Sequence, residues 1–123
     1  LKSSIIKIRN INKGESVSYG RTFIAEKDMK IGVVPIGYAD GLPRSLSSRG
    51  FVIYKEKKCK IVGRVCMDLT MIDLTECLNP KIGDEIIVFD DFLYTAMDIS
   101  LLIDTIPYEI ICGISKRVKR VYL

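Results

Sequence analysis

Histidine and tryptophan are both absent from this chain of 123 residues. Histidine is the side chain whose charge ordinarily changes near neutral pH, so any proton transfer by this chain must use another group. Tyr19 and Tyr38 are the best candidates, because each stands beside a glycine in a segment that interrupts an apolar run. A phenol ordinarily titrates at about pH 10, so a catalytic tyrosine needs a cationic neighbour such as Arg21 or Arg64. The alternative is that both tyrosines are surface, interface or turn-packing aromatics.

Closely paired cysteines are lacking as well. Cys59, Cys66, Cys77 and Cys112 do not have the CxxC spacing of a zinc ribbon, and no histidine is present to complete a mixed site. We therefore expect no metal site. Secreted disulfide scaffolds are usually shorter and richer in cysteine, so we expect reduced thiols and a cytoplasmic protein.

Long apolar runs are missing too. The stretch 31–36 contains Gly32 and Pro35 and is far shorter than the roughly 20 residues of a membrane-spanning helix. No basic segment precedes an apolar run and a cleavage site, so we expect neither a signal peptide nor a membrane partner. The length fits a single domain, 1–123, and the start at Leu1 inside a strand pattern suggests a piece of a longer protein.

The net charge of +4 is mild and lies mostly in a basic cluster, which we define as Lys116, Arg117, Lys119 and Arg120. Such a cluster can bind phosphates, but a solvated strand edge protected by cations is the simpler interpretation. A small basic β-barrel that binds nucleic acid is therefore a second functional class. Modules of that class usually interleave exposed aromatic residues with the basic ones, and here the two are far apart in sequence.

Short runs of alternating apolar and polar residues, bounded by turn residues, predict a mainly β protein, either a barrel or a sandwich. The predicted strands are 4–11, 17–25, 31–37, 51–54, 58–62, 71–74 and 85–89. One short helix is predicted at 95–105, because Thr95 can cap it, Asp98 completes a capping-box variant and the apolar residues recur at helical spacing. Pro107 should end that helix, and two last strands are predicted at 109–115 and 117–122.

Three segments carry residues that a core strand does not need: SVSYGRTF, VPIGYADGLPR and VGRVCMD. Tyr38, in GYADG, is predicted to lie on a loop, where functional residues are frequent. Cys66 and Met67 are either half-buried side chains at a strand end or a place where a backbone N–H points at a carboxylate ligand. The pattern alone does not separate these two interpretations.

These segments, together with GDE and TIPYEIICGISKRVKRVYL, resemble the C-terminal domain of alanine racemase, block after block in the same order across essentially the whole chain. The resemblance implies a closed Greek-key-like β-barrel. It also implies a homodimeric enzyme that depends on pyridoxal 5'-phosphate and supplies D-alanine for the cell wall. A lysine on an N-terminal TIM-type barrel, absent from this chain, would hold the cofactor. The fragment alone should therefore be inactive.

The resemblance also implies roles for single residues. Tyr19 would be the catalytic base that acts in the partner subunit's active site, opposite the lysine. Met67 would donate its backbone N–H to the substrate carboxylate, and Tyr38 would lie near the mouth of the active site. Tyr108 would reach the cofactor phosphate in its own subunit. Three further residues would line the substrate channel: Arg44, Arg64 and Ile106.

Two alternatives stay open beside the nucleic-acid barrel. The enzyme could racemise serine or another small amino acid, because the missing barrel supplies most of the substrate pocket. The domain could also be purely structural, with its tyrosines as dimer contacts. In either case we expect the isolated piece to expose an apolar patch where the N-terminal barrel and the second subunit would sit.

Overall fold

A computed structural model describes residues 1–17 and 23–122 of the chain. Within these residues the chain forms short strands and two short α-helices. The strands are β1 (Lys2–Ser4), β2 (Lys7–Ile11), β3 (Ser16–Val17), β4 (Phe23–Ile24), β5 (Met29–Val34), β6 (Phe51–Tyr54), β7 (Lys57–Lys60), β8 (Thr70–Asp73) and β9 (Glu85–Ile87). The helices are α1 (Ala96–Leu102) and α2 (Pro107–Cys112).

The strands pair antiparallel in three groups, as far as the described residues show. One sheet has the order β1-β9-β6-β7, a second has the order β2-β5-β8, and β3 pairs with β4. In the second sheet Gly32 of β5 lies between Ile8 of β2 and Ile72 of β8. The fold is thus mainly β, as the alternating sequence pattern predicts.

Among the described residues the two larger sheets are joined at two places, once by the continuous chain and once by strand pairing. Ile5 donates its N–H to Asp84 O at 3.0 Å, and the next residue, Ile6, donates to Val33 O at 2.9 Å. The chain therefore passes from one sheet to the other at this point, which is why the predicted strand 4–11 divides into β1 and β2. At the second place Ile61 bridges to Ile72, and Val62 donates its N–H to Met71 O at 3.0 Å.

The core formed by the described residues consists of a large and a small cluster of buried side chains. The large cluster joins the four-stranded sheet to the helices, and it includes Ile86 of β9, Ile99 of α1 and Ile110 of α2. The small cluster connects the second sheet to the β3–β4 pair and includes Ile31 of β5 and Val17 of β3. Burial of an isoleucine side chain contributes roughly 1.5–3 kcal/mol, so Ile99 and Ile110 fix the two helices against the sheets.

Helix α1 begins with the predicted capping box. Thr95 Oγ1 accepts a hydrogen bond from Asp98 N at 3.2 Å, and Asp98 Oδ2 accepts one from Thr95 N at 2.8 Å. The helix ends at Leu102, earlier than the predicted 95–105, because Asp104 has a positive φ of 57°. A backbone of that kind leaves the helical region.

The prediction of a single helix followed by two strands is wrong. Residues 107–112 form α2, where the sequence pattern predicted a strand over 109–115. Pro107 starts this helix instead of only ending the previous one, because proline at the first helical position has a suitable φ and lacks only an N–H that would be unpaired there. Ile110 then points into the core while its neighbours Glu109 and Ile111 stay exposed.

The predicted strand 117–122 is wrong as well. The Arg120 guanidinium donates hydrogen bonds to the backbone carbonyls of Ile114, Ser115 and Val118, which folds residues 114–120 on themselves. Beyond this turn Tyr122 is 90% exposed. Over residues 1–17 and 23–122, no helix has the length and apolar character needed to cross a bilayer.

Candidate functional site

The loop that carries Tyr38 follows directly from β5. Residues Tyr38–Asp40 form a single 3-10 turn between two glycines. Asp40 Oδ2 accepts a hydrogen bond from Gly37 N at 3.0 Å, which closes the turn. Gly41 follows with φ of 111°, a conformation that a residue with a side chain rarely adopts, so the chain can reverse here without strain.

This loop packs on the backbone of the Met67 segment. Tyr38 N donates to Cys66 O at 2.9 Å, and Ala39 N donates to Met67 O at 3.0 Å. A Cβ atom on Gly37 would overlap the carbonyl oxygens of Cys66 and Met67, so only glycine permits the close approach. The structure therefore brings Tyr38 and Met67 together, although they are distant in sequence.

Both of these residues are accessible from outside the domain. Tyr38 is 44% exposed and Met67 is 53% exposed. Within residues 1–17 and 23–122, the backbone N–H of Met67 has no hydrogen-bond acceptor, whereas the neighbouring Cys66 N donates to Leu69 O at 3.0 Å. A backbone donor without an acceptor in the described protein, on an exposed residue, can bind an anionic ligand, which favours the carboxylate-binding interpretation of Met67.

The two arginines predicted for the substrate channel lie on adjoining loops. The Arg44 guanidinium carbon lies 5.7 Å from the centre of the Tyr38 ring, a cation–π distance. Three residues later, Ser47 Oγ accepts a hydrogen bond from Val65 N at 2.8 Å, and Ser48 N donates to Gly63 O at 2.8 Å. The loop of Arg44 is thus fastened to the segment of Arg64, whose side chain is exposed.

Tyr108 and Ile106 lie at the N-terminal end of α2, which is the end away from the Tyr38 loop. The C-terminal end of α2 contacts that loop, because Gly41 lies against the backbone of Gly113 and Ile114, and Ser115 N donates to Asp40 O at 3.0 Å. At a rise of about 1.5 Å per residue, Tyr108 lies roughly 8 Å along the helix from Gly113. Tyr108 is 76% exposed and Ile106 is 59% exposed.

Arg117 joins the two segments of the site from a third part of the chain. Its Nε lies 2.7 Å from Asp40 Oδ1, and its Nη2 lies 2.6 Å from Asp68 Oδ1. The hydrogen bond from Arg117 holds the pKa of Asp40 below its usual value, although burial acts in the opposite direction. The same two carboxylates raise the pKa of the guanidinium.

This contact was missed at the level of sequence, because the basic cluster was interpreted as a surface feature or a phosphate site. Arg117 binds two carboxylates, and Arg120 binds backbone carbonyls of residues 114–118. A signal was present in the sequence. Asp40 and Asp68 each follow a predicted ligand-binding residue by one or two positions, and an arginine in the basic cluster is a suitable partner for two such carboxylates.

Tyr19 and Arg21 lie outside the described residues. The strands on either side of them are described: β3 and β4 pair antiparallel, with Val17 opposite Phe23. Val17 is buried in the small core cluster, so this pair of strands is held firmly against the second sheet.

Comparison with known proteins agrees with these motifs. Residues 1–122 match the family described as "Alanine racemase, C-terminal domain". The chain belongs to this family. Alanine racemase 2 of Caldanaerobacter subterraneus is 48% identical over 125 residues, a match that covers 99% of this chain and 32% of that relative. The alanine racemase of Clostridium tetani is 47% identical over 127 residues, covering 100% of this chain and 33% of the relative.

Solved structures of alanine racemases have the same fold over the whole of this C-terminal domain. The alanine racemase of Bartonella henselae, solved with covalently bound pyridoxal phosphate, superposes with a TM-score of 0.95 at 32% identity, covering 99% of this chain and 34% of that one. The enzyme of Clostridium difficile 630 in complex with cycloserine gives 0.93 at 39% identity, covering 99% and 32%. This alanine racemase C-terminal domain thus spans about a third of the length of its relatives.

Proposed function

We propose that this chain is the C-terminal part of a cytoplasmic alanine racemase that interconverts L- and D-alanine and supplies D-alanine for peptidoglycan. One observation carries the proposal. The GYAD and CMD blocks of the family lie on one exposed surface, where the N–H groups of Tyr38 and Ala39 bind the carbonyls of Cys66 and Met67. The complete enzyme would be a homodimer, with this domain completing the active site of the second subunit.

The exposed residues of this domain fit pyridoxal 5'-phosphate as the cofactor. Tyr108 presents a phenol that is 76% exposed at the first turn of α2, and a hydroxyl in such a place can donate to a phosphate oxygen. We therefore propose that Tyr108 holds the cofactor phosphate within its own subunit. When bound, the cofactor supplies an electron sink that stabilises negative charge at the substrate Cα. The lysine that anchors it would belong to the N-terminal barrel.

Met67 and its surroundings would bind the substrate. The backbone N–H of Met67 would donate to the carboxylate of alanine, and the ring of Tyr38 would border the same space. Arg44, Arg64 and Ile106 would line the channel through which the amino acid arrives. Two arginines on adjoining loops favour an anionic carboxylate over a neutral molecule by simple charge attraction.

Tyr19 would move the proton. Racemisation requires one proton to leave the Cα and another to return on the opposite face, and two bases achieve this without rotating the substrate. We propose that the Tyr19 hydroxyl serves one face and the barrel lysine the other. A phenol does this near neutral pH only if neighbouring positive charge lowers its pKa, for which Arg21 and Arg64 are candidates.

The fold that we propose for the domain is a closed Greek-key-like barrel. Two observations support closure. At Ile5 and Ile6 the chain crosses from the four-stranded sheet to the second sheet, and at Ile61 and Val62 the strand after β7 pairs with β8. The continuous chain therefore links the sheets at one edge and strand pairing links them at the other, as closure of a barrel requires.

Exchange of the Cα proton tests the catalytic part of the proposal. In the full-length enzyme, Tyr19→Phe should slow solvent deuterium incorporation from one alanine enantiomer by about 10²–10⁴-fold relative to the other, the usual contribution of a positioned acid–base group. Tyr122→Phe is the matched control, since Tyr122 is 90% exposed and belongs to no proposed site. Unchanged exchange from both enantiomers would remove Tyr19 as a base.

The substrate itself is tested by turnover of the unmodified full-length enzyme. We expect a larger kcat/KM for alanine than for serine or any other small amino acid. A larger value for serine would replace the proposed substrate and leave the family membership unaffected.

A further inference from the structure

Arg117 has no role in the proposed function so far, yet it contacts both substrate-binding segments at once. Asp40 and Asp68 are 77 and 49 residues away from it in sequence. Asp40 Oδ2 also accepts the Gly37 N–H, so the same carboxylate connects Arg117 to the beginning of the Tyr38 turn. Asp68 is the residue directly after Met67.

Resting on the proposed function, we infer that Arg117 is a positioning residue for the substrate carboxylate. Its guanidinium holds the Tyr38 loop and the Met67 segment in one arrangement, so that the Met67 N–H points into the site. Arg117 acts through Asp40 and Asp68 and does not itself touch the substrate.

The chemistry of arginine explains why this residue suits the task. Nε and Nη2 are two donors at fixed positions on one planar group, and here each binds a different carboxylate. A lysine ammonium at the same place has the same charge but no fixed separation between donors, so it cannot set the distance between the two segments.

The two carboxylates that bind Arg117 differ in exposure, so the two ion pairs should differ in their contribution to stability. The Asp40 side chain is only 13% exposed, whereas Asp68 is 59% exposed and Arg117 is 51% exposed. Exposed ion pairs contribute little to stability, so removing the Asp68 contact should hardly affect folding. In Asp68→Asn, a loss of substrate binding without a loss of stability is therefore the expected signature of positioning.

The experiment uses the full-length enzyme with Arg117→Met, Arg117→Lys and Asp68→Asn. We expect Arg117→Met to raise KM for alanine by about 5–10-fold while kcat changes less than about two-fold, the pattern of an interaction that binds substrate and transition state equally. Propionate has the carboxylate and methyl group of alanine but no amine, so its inhibition constant should rise by the same factor. Asp68→Asn should give a smaller increase in both constants.

Arg117→Lys separates geometry from charge. If Arg117 only attracted anions, the lysine variant would restore KM and the propionate inhibition constant to the unmodified values, and the inference would be overturned. We expect the lysine variant to stay close to Arg117→Met. Unchanged constants in Arg117→Met would overturn the inference equally.

Two controls complete the design. Lys2→Met removes an exposed ion pair between β1 and β9, in which Lys2 and Glu85 lie 3.6 Å apart, and it should leave both constants unchanged because neither residue belongs to the proposed site. Thermal unfolding should show nearly equal midpoints for Asp68→Asn and the unmodified enzyme, and a large decrease would overturn the inference in favour of a structural role. An unmodified enzyme that racemises no amino acid would contradict the proposed function itself. An active enzyme whose KM and propionate inhibition constant do not change on substitution of Arg117 would contradict only this inference.

Discussion

The hydroxyl of Tyr54 donates a hydrogen bond of 2.6 Å to Oδ2 of Asp84. This contact connects the end of β6 to the turn before β9, because Asp84 Oδ2 also accepts the N–H of Lys81 at 2.9 Å. Tyr54 is 2% exposed, so its ring packs in the core while its hydroxyl reaches the turn before β9. Burial and the neighbouring carboxylate raise the pKa of Tyr54 to about 12, and the same hydrogen bond lowers the pKa of Asp84.

Removing the Tyr54 hydroxyl should change the pH dependence of stability at both low and high pH. The lowered pKa of Asp84 gives stability that is present above the ordinary aspartate pKa of about 4 and is lost as the pH falls below it. The raised pKa of Tyr54 gives stability that is present below about pH 10 and is lost as the pH rises toward about 12. In Tyr54→Phe the free energy of unfolding should therefore differ most from the unmodified chain between these limits.

Urea unfolding of the purified chain at a series of pH values measures that difference. The matched control is Tyr94→Phe, because Tyr94 is also buried but its hydroxyl has no hydrogen-bond partner among the described residues. This control should be as stable as the unmodified chain or more stable, since an unpaired buried hydroxyl costs free energy. Equal destabilisation by both substitutions would contradict the prediction.

Gly41 should tolerate alanine less well than Gly14, although both have a left-handed backbone. Their φ angles are 111° and 93°, so alanine at either place should cost about 1–2 kcal/mol of backbone strain. A Cβ atom on Gly41 would also overlap the backbone of Gly113 and Ile114, whereas one on Gly14 would meet no atom of the described residues within 4 Å. We expect Gly41→Ala to lower the free energy of unfolding by clearly more than Gly14→Ala. Denaturant unfolding of both variants measures this, and equal losses would show that the contact is unimportant.

Cysteine alkylation should distinguish Cys59 from Cys112. Cys59 is 2% exposed and burial raises the pKa of its thiol to about 12, whereas Cys112 is exposed. Because the thiolate is the reactive form, iodoacetamide near neutral pH should modify Cys112 rapidly and leave Cys59 intact. Peptide mass spectrometry over time gives both rates, and the chain unfolded in urea is the control in which both should react. Rapid modification of Cys59 in the folded chain would contradict the described packing.

Local sequence patterns predicted those elements whose stabilising contacts are local. The strand 51–54 occurs as predicted, and Thr95 caps α1 through the residue three positions on. The prediction for 109–115 was wrong because a short apolar segment such as EIIC fits a strand and a helical turn equally well. Pro107 and the burial of Ile110 against the core decide for the helix, and burial is a tertiary effect.

The sequence by itself determined the family, because its motifs stand in a recognisable order. It also determined the mainly β class, and it named the residues to which roles are proposed. Tertiary structure alone decided which of those residues meet. Arg117 contacts Asp40 and Asp68, which precede it in the sequence by 77 and 49 residues. Side-chain contacts over such separations depend on how the strands pair and how the helices pack, and no local pattern of apolar and charged residues encodes that arrangement.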